Sequence, residues 1–334
     1  MFSFRSHFPR LLAGVLLLAS LVSCGSRHDA DEKYVLVSAN IKVPYWQLAG
    51  SGFMESARQL KVRATFAGPD TYDPRAQQQE FRKAVASKPT GILVSPADPA
   101  LLSPDIDAAI SAGIPVITMD SDAPSSKRLM FVGTDNYQAG VMGAKVMTAK
   151  LQGKGNVVVY TMPGQTNLED RLRGYRDTFA AQPQIKIVRV VDIKGDPVIA
   201  FDTTKEIVEK EASKVNGFVC LEALAGKEVA NVLERYKIKD KPIVAMDTDP
   251  ETLDWIKKGV IVATVAQKPY TMSFVGLRIL DNLYHDKFRP QEKNWAQDPF
   301  SPIPAYVDTG LTLVDKNNVD SFQQMEKSAR GTGK

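Results

Sequence analysis

Histidine and cysteine are scarce in this 334-residue chain, which holds three of the first and two of the second. His7, His28 and His285 are far apart in sequence, and no Cys/His spacing typical of a metal site occurs. Neither a metal nor a histidine-based catalytic triad is therefore expected. A dinucleotide fingerprint is also missing. Where Gly-x-Gly-x-x-Gly would follow the first strand, the chain reads Asn40-Ile41-Lys42-Val43-Pro44-Tyr45-Trp46, and the Gly153/Gly155 pair precedes a strand instead. No backbone cradle for a pyrophosphate is offered, and no cofactor is expected. Charge is balanced, at 42 Lys+Arg against 38 Asp+Glu, and no basic run marks a nucleic-acid face.

What is present begins with the leader. Arg5 and Arg10 precede an apolar stretch, Leu11 to Leu18, too short to span a membrane. This is the pattern of an export signal. Leu21-Val22-Ser23-Cys24 then resembles the lipobox of bacterial lipoproteins, with cleavage before Cys24 and lipid on its thiol. Residues 1–23 are read as signal peptide and 24–33 as a polar tether. Once Arg5 and Arg10 leave, the formal charge of +4 becomes +2. Cys220 is then the remaining thiol, no intrachain disulfide can form, and its neighbours Phe218, Val219 and Leu221 place it in a core.

The mature chain of roughly 310 residues suits two domains. Short apolar runs rich in β-branched residues alternate with helical patterns, which indicates parallel, doubly wound sheets. The pattern runs from Tyr34 to Val132, restarts at Val157 and continues to Tyr284. Two runs share one grammar: Ile114-Pro115-Val116-Ile117-Thr118-Met119-Asp120 and Pro242-Ile243-Val244-Ala245-Met246-Asp247. Each is a buried strand that delivers an aspartate to its C-terminal tip, the edge where such sheets bind ligands. Aromatic rings at Tyr45 and Trp46, close to acids and an arginine, suit a sugar: rings cover its C–H face while charged groups take its hydroxyls. The proline-rich segment 290–304 reads as loop, 305–314 as a late strand, and the tail as a short helix with a frayed end.

Beyond these patterns, the chain resembles bacterial periplasmic sugar-binding proteins of the ribose-binding type, the receptors of ABC importers, whose fold also forms the effector domain of lac-repressor-like regulators. The resemblance covers nearly all of the mature chain. It rests on Val43-Pro44-Tyr45-Trp46, Gly91-Ile92-Leu93-Val94-Ser95-Pro96 with Asp98, and Gly113 to Asp120. Gly133-Thr134-Asp135-Asn136 with Gly140, Arg171-Leu172-Arg173-Gly174-Tyr175, Met246-Asp247 and Thr264-Val265-Ala266-Gln267 complete it.

The resemblance implies a type I binding-protein fold: two doubly wound lobes joined by a three-crossing hinge. The first lobe would be 34–133 plus 268–300, the second 134–267 plus 301–316, with 317–334 a tail. It assigns ligand contacts to Tyr45, Trp46, Asp120, Ser121, Asn167, Arg171, Glu222, Asp247 and Gln267, with Arg173 the rival of Arg171. Departures from the ribose pattern are Glu222 where the family has Asn, Ser121 and Asp122 in place of an Arg, Val43 in place of an Asn, and no aromatic at Gly195 or Asp196. Three acids against one arginine suggest an altered hydroxyl pattern or a positive group on the ligand, unless a raised carboxyl pKa or Lys42 relieves the excess.

The implied function is a lipid-anchored, monomeric receptor that delivers a sugar or sugar-like ligand to a membrane ABC permease, in the periplasm or at the cell surface. A repressor would need a helix-turn-helix where the lipobox stands. A receptor for a chemotaxis or sensor-kinase partner and an exported enzyme of this fold remain alternatives. For the enzyme, Asp120 and Asp247 would be the acid pair.

Overall fold

The computed structural model describes residues 28–29, 31–286, 301 and 303–331. The expected signal peptide, Cys24 and most of the proline-rich segment lie outside these. Twelve strands, ten α-helices and one short 3-10 helix (Ala212–Lys214) are described. The first unit comprises β1 (Lys33–Val37), α1 (Pro44–Leu60), β2 (Arg63–Ala67), α2 (Pro74–Ala86), β3 (Gly91–Val94), α3 (Pro99–Ser111), β4 (Val116–Met119) and β5 (Phe131–Gly133). The second comprises α4 (Asn136–Lys150), β6 (Gly155–Thr161), α5 (Thr166–Ala180), β7 (Ile185–Asp192), α6 (Pro197–Glu211), β8 (Gly217–Cys220), α7 (Ala225–Arg235), β9 (Ile243–Met246), α8 (Pro250–Lys258) and β10 (Ile261–Ala266). α9 (Pro269–His285), β11 (Tyr306–Asp308), β12 (Thr312–Asp315) and α10 (Val319–Gly331) follow.

The sheets share one topology. Their orders are β11-β5-β4-β3-β1-β2 and β12-β10-β9-β8-β6-β7. The first is parallel throughout, and the second carries one antiparallel edge, β12 on β10. Strands β3, β4, β8 and β9 are buried along their whole length, as their unbroken apolar runs require when helices cover both faces. Four helices open on an Asp-Pro pair: Asp73, Asp98, Asp196 and Asp249 each accept an amide of the first turn, and the proline that follows has a φ suited to helix and no N–H to leave unpaired.

The chain crosses between the sheets at Thr134–Asp135, at Gln267–Lys268 and at Thr309–Leu311, which makes the hinge three-stranded. The third crossing is tied to the first, because both the amide and the hydroxyl of Thr309 donate to the Gly133 carbonyl, at 2.8 and 3.0 Å. Here the expected assignment of 301–316 to the second lobe needs correction. Tyr306–Asp308 pairs with β5 in the first sheet, and only Thr312–Asp315 joins the second. Gly310, at φ 77°, breaks what read as one strand into two. The tether is also shorter than expected, since Glu32 is buried and Lys33 already belongs to β1. The tail is less frayed than expected: α10 packs on the second lobe through buried Val319, with Lys257 reaching Asp320 at 2.6 Å. Cys220 is buried and free. Among the described residues, no helix is long and apolar enough to cross a membrane.

Candidate functional site: the cleft between the lobes

β4 and β9 occupy equivalent places in the two sheets, and each is followed by an aspartate in the left-handed region, Asp120 at φ 62° and Asp247 at φ 67°. Aspartate tolerates this conformation better than most residues. The turn is held by the amide of Asp120 on the Val132 carbonyl (3.2 Å) and that of Asp247 on the Val265 carbonyl (2.9 Å). Both carboxylates line one cavity between the lobes, shared with the Tyr45 and Trp46 rings and with Arg171.

Arg171 is fixed by helix packing. α4 and α5 meet at Gly140 and Gly174. A Cβ on Gly140 would lie 2.1 Å from the Arg171 carbonyl oxygen, and one on Gly174 would lie 2.4 Å from that of Tyr137, so any larger residue would part the helices. The guanidinium donates to Asn136 Oδ1 (2.9 Å), the Leu221 carbonyl (2.7 Å) and Gln267 Oε1 (2.8 Å). Three of its five donors are thus committed to the protein, and the group still lines the cavity. Gln267, at the second hinge crossing, passes the network on by donating to Asp247 Oδ1 at 2.9 Å. Arg173 pairs instead with exposed Asp170 at 2.7 Å and does not line the cavity.

The acids are held differently. Asp120 accepts from the Tyr45 hydroxyl at 2.6 Å and, across the cleft, from Asn167 Nδ2 at 3.3 Å. Burial raises its pKa, with Arg171 and the Tyr45 hydrogen bond opposing. Burial also raises Asp247 to about 7, against the pull of Arg171 and Gln267. Glu222 turns back on its own chain and accepts the amides of Leu224 (2.5 Å) and Ala225 (2.9 Å), so it serves the N-terminus of α7. Burial carries it to about 7 as well, although those amides oppose the shift. Lys42 offers no relief, since it lies 3.6 Å from Asp70 with both side chains exposed.

The first lobe supplies rings. The Tyr45 and Trp46 rings meet edge to face at 5.0 Å, and both line the cavity. Burial pushes the Tyr45 phenol well above its usual pKa, with Asp120 and Asp247 adding to the shift. Of the nine residues assigned to the ligand from sequence, Ser121 is the one that does not line the cavity. The left-handed turn at Asp120 carries it away, and its hydroxyl lies 3.5 Å from Thr166 Oγ1. Its neighbour Asp122 exchanges hydrogen bonds with Thr166 through its backbone, while the Asp122 carboxylate holds Arg128 in a two-point ion pair, both contacts at 2.6 Å. This acid is paired and lies outside the cavity.

The sequence reading missed Tyr72 and Gln165, which also line the cavity. Both stand a few residues beyond a strand's C-terminal end, so the rule that found the aspartates could have found them. Tyr72 takes up space at Gly195, near the position where the ribose-binding pattern carries an aromatic and this chain does not. A Cβ on Gly195, at φ 73°, would lie 2.4 Å from the Tyr72 Cβ, so only glycine suits that position. The Tyr72 hydroxyl donates to the Ala97 carbonyl at 2.7 Å, and burial pushes its pKa up to about 12.

Comparison with known proteins agrees with this architecture. A periplasmic binding protein domain matches residues 34–287. The D-allose-binding periplasmic protein of Escherichia coli K12 is 25% identical over 288 residues, which cover 83% of this chain and 90% of that protein. The solved arabinose-binding protein AraP of Geobacillus stearothermophilus is 35% identical with a TM-score of 0.73, covering 87% of this chain and 99% of its own. The XylFII-LytSN complex contains a chain that is 25% identical with a TM-score of 0.77, covering 86% of this chain and 99% of that one. With the two matched sheets, the three-crossing hinge and a domain match over most of its length, this chain belongs to the periplasmic binding protein family.

Proposed function

We propose that the protein is an exported receptor that closes its lobes around a monosaccharide or a similar polyol and presents the closed form to an ABC importer. The observation that carries this reading is the cavity, in which first-lobe rings face second-lobe Arg171, Glu222 and Asp247 across a hinge. Rings cover the apolar face of a pyranose, and fixed carboxylates and a guanidinium take its hydroxyls in charge-assisted bonds. Binding then favours closure, because only the closed form touches the ligand from both sides. Tyr45, Trp46, Asp120, Asn167, Arg171, Asp247 and Gln267 are the proposed contacts, with Glu222 shaping the wall. The relatives named for D-allose and arabinose support the sugar class.

A neutral ligand is favoured over a cationic one. Glu222 already serves two backbone amides, and the raised pKa of Asp247 and of Glu222 relieves part of the acid excess. Lipid on Cys24 would hold the receptor at a membrane surface. A Cys24→Ser change should release the protein from the membrane fraction. A second reading, a receptor that reports to a protein partner, is favoured by the XylFII-LytSN complex, in which a chain of this fold is bound to a second protein.

The test is thermal unfolding against pentoses, hexoses, deoxysugars, aminosugars, inositols and nucleosides. A ligand at a hundred times its Kd adds about 2.7 kcal/mol, a shift of several degrees. A neutral sugar hit lost on Arg171→Ala supports the reading. An aminosugar hit restores the cationic ligand, and a panel without hits counts against a sugar receptor.

A further inference from the structure

The fold brings together two histidines that stand 257 positions apart in the sequence. His28 and Glu32 lie four residues apart just before β1. Asp281 and His285 lie four residues apart at the C-terminal end of α9, so they share a helix face. One ligating atom from each of the four lies within 4.8 Å of the others. His28 Nε2 is 2.9 Å from Asp281 Oδ1. His285 Nε2 is 3.1 Å from Glu32 Oε2 and 3.6 Å from Asp281 Oδ1. The two imidazole rings sit edge to face at 5.0 Å.

The geometry points to a binding site for one divalent transition ion of the zinc class, held by His28, Glu32, Asp281 and His285. Around a tetrahedral ion with ligand bonds of about 2.05 Å, ligand atoms stand about 3.3 Å apart; three of the six separations here, 2.9, 3.1 and 3.6 Å, bracket that value, and all lie within 4.8 Å. The donor set, two imidazole nitrogens and two carboxylates, suits zinc and its neighbours better than calcium or magnesium, which prefer all-oxygen shells. Charge is consistent with the same conclusion. The Glu32 and Asp281 side chains are 2% and 3% exposed, and no lysine or arginine pairs with either among the described residues. Each carboxylate has a histidine nitrogen beside it, so the charge of the cluster is met either by the histidines themselves or by an ion. A divalent ion would supply two positive charges and be held by neutral histidines, as metal ligands must be.

Further contacts orient the set. The Tyr34 hydroxyl donates to Asp281 Oδ1 at 3.4 Å, and the Asp29 amide donates to Glu32 Oε1 at 2.7 Å. Such contacts behind the ligands fix carboxylate orientation. Four protein ligands close the shell, which makes the site structural rather than catalytic. The ion would pin the segment that enters β1 to the far end of α9. That helix has 17 residues, so the site stands about 25 Å along it from the end that meets the cleft. Metal and sugar therefore act at opposite ends of the first lobe.

The test uses the full chain, purified in detergent without a histidine tag and stripped with a chelator. Titration with Zn²⁺ should give one equivalent bound per chain and a higher unfolding midpoint, and Co²⁺ should give the strong visible bands of tetrahedral coordination. His28→Ala and His285→Ala should each weaken Zn²⁺ by about 100-fold or more and abolish the cobalt bands. Circular dichroism and an unchanged response to the cleft ligand would show that the variants are folded. Should His285→Ala not fold, His28→Ala, which lies before β1 and outside any helix or strand, still decides the matter. No bound equivalent in the wild type, or the same affinity in both variants, overturns the proposal.

Discussion

The two lobes have the same strand order and put an aspartate at the same place, yet they do different work. At the tip of β4, Asp120 is held by a tyrosine hydroxyl beside a second ring. At the tip of β9, Asp247 sits in a chain of hydrogen bonds from Gln267 to Arg171. One side is an aromatic platform with a single acid. The other concentrates the arginine and the strongly perturbed acids. A duplicated topology thus fixes where functional groups arise, and local side chains decide whether a lobe offers apolar surface or charge.

Arg171 is the point at which this asymmetry breaks most severely. Arg171→Ala would strand Asn136 Oδ1, the Leu221 carbonyl and Gln267 Oε1, and would leave Asp120 and Asp247 without their counter-charge. Ligand binding should become undetectable, and stability should fall by about 3–5 kcal/mol in urea unfolding. Arg173→Ala, on the same helix but paired at the surface, should leave both stability and binding almost unchanged.

The aspartates sharpen the contrast. Asparagine also accepts the left-handed turn, so Asp120→Asn and Asp247→Asn test charge rather than backbone. Each should weaken the ligand by about 10- to 100-fold, the worth of one charge-assisted hydrogen bond. Their effects on the free protein should differ. Asp247 and Glu222 have folded pKa values of about 7, above those of the unfolded chain. The folded state therefore binds more protons between about pH 4 and 7, and stability is full below that window and falls as pH rises through it. Unfolding midpoints of the ligand-free protein should decline from pH 5 to pH 8. Asp247→Asn should flatten the slope and raise stability at pH 8. A ligand that needs these acids ionised should release protons on binding near pH 7, measured by calorimetry in buffers of different ionisation enthalpy.

Smaller effects should come from the platform and the hinge. Tyr45→Phe removes the 2.6 Å bond that orients Asp120 and should cost about 0.5–1.5 kcal/mol in ligand affinity, with the ring still in place. Gly310→Ala, at φ 77° in the third crossing, should cost about 1 kcal/mol of stability, read from thermal melts.

Much of this was legible in the sequence because the signals were local. An unbroken apolar strand ending in an acid fixes both the sheet and the residue at its edge, which is why Asp120 and Asp247 could be named in advance. Ser121 was misplaced because the turn at Asp120 reverses the chain direction, and a strand's alternation does not report φ. Tyr72 stayed hidden inside a turn, because its role depends on the close approach of Gly195 from the other lobe. The split of 305–314 into two strands did carry a signal, Gly310, but its meaning depended on partners far away in sequence. The pairing of His28 with His285 had no local signature, since it exists only once β1 and α9 are packed.

The central claim is that one ligand is held from both lobes at once. Calorimetric titration of the sugar found by thermal screening, into wild type, Asp120→Asn and Asp247→Asn, tests it most directly. One site per chain and an affinity loss of about tenfold or more in both variants are expected. A loss confined to one aspartate, with the other variant binding as the wild type does, would contradict it.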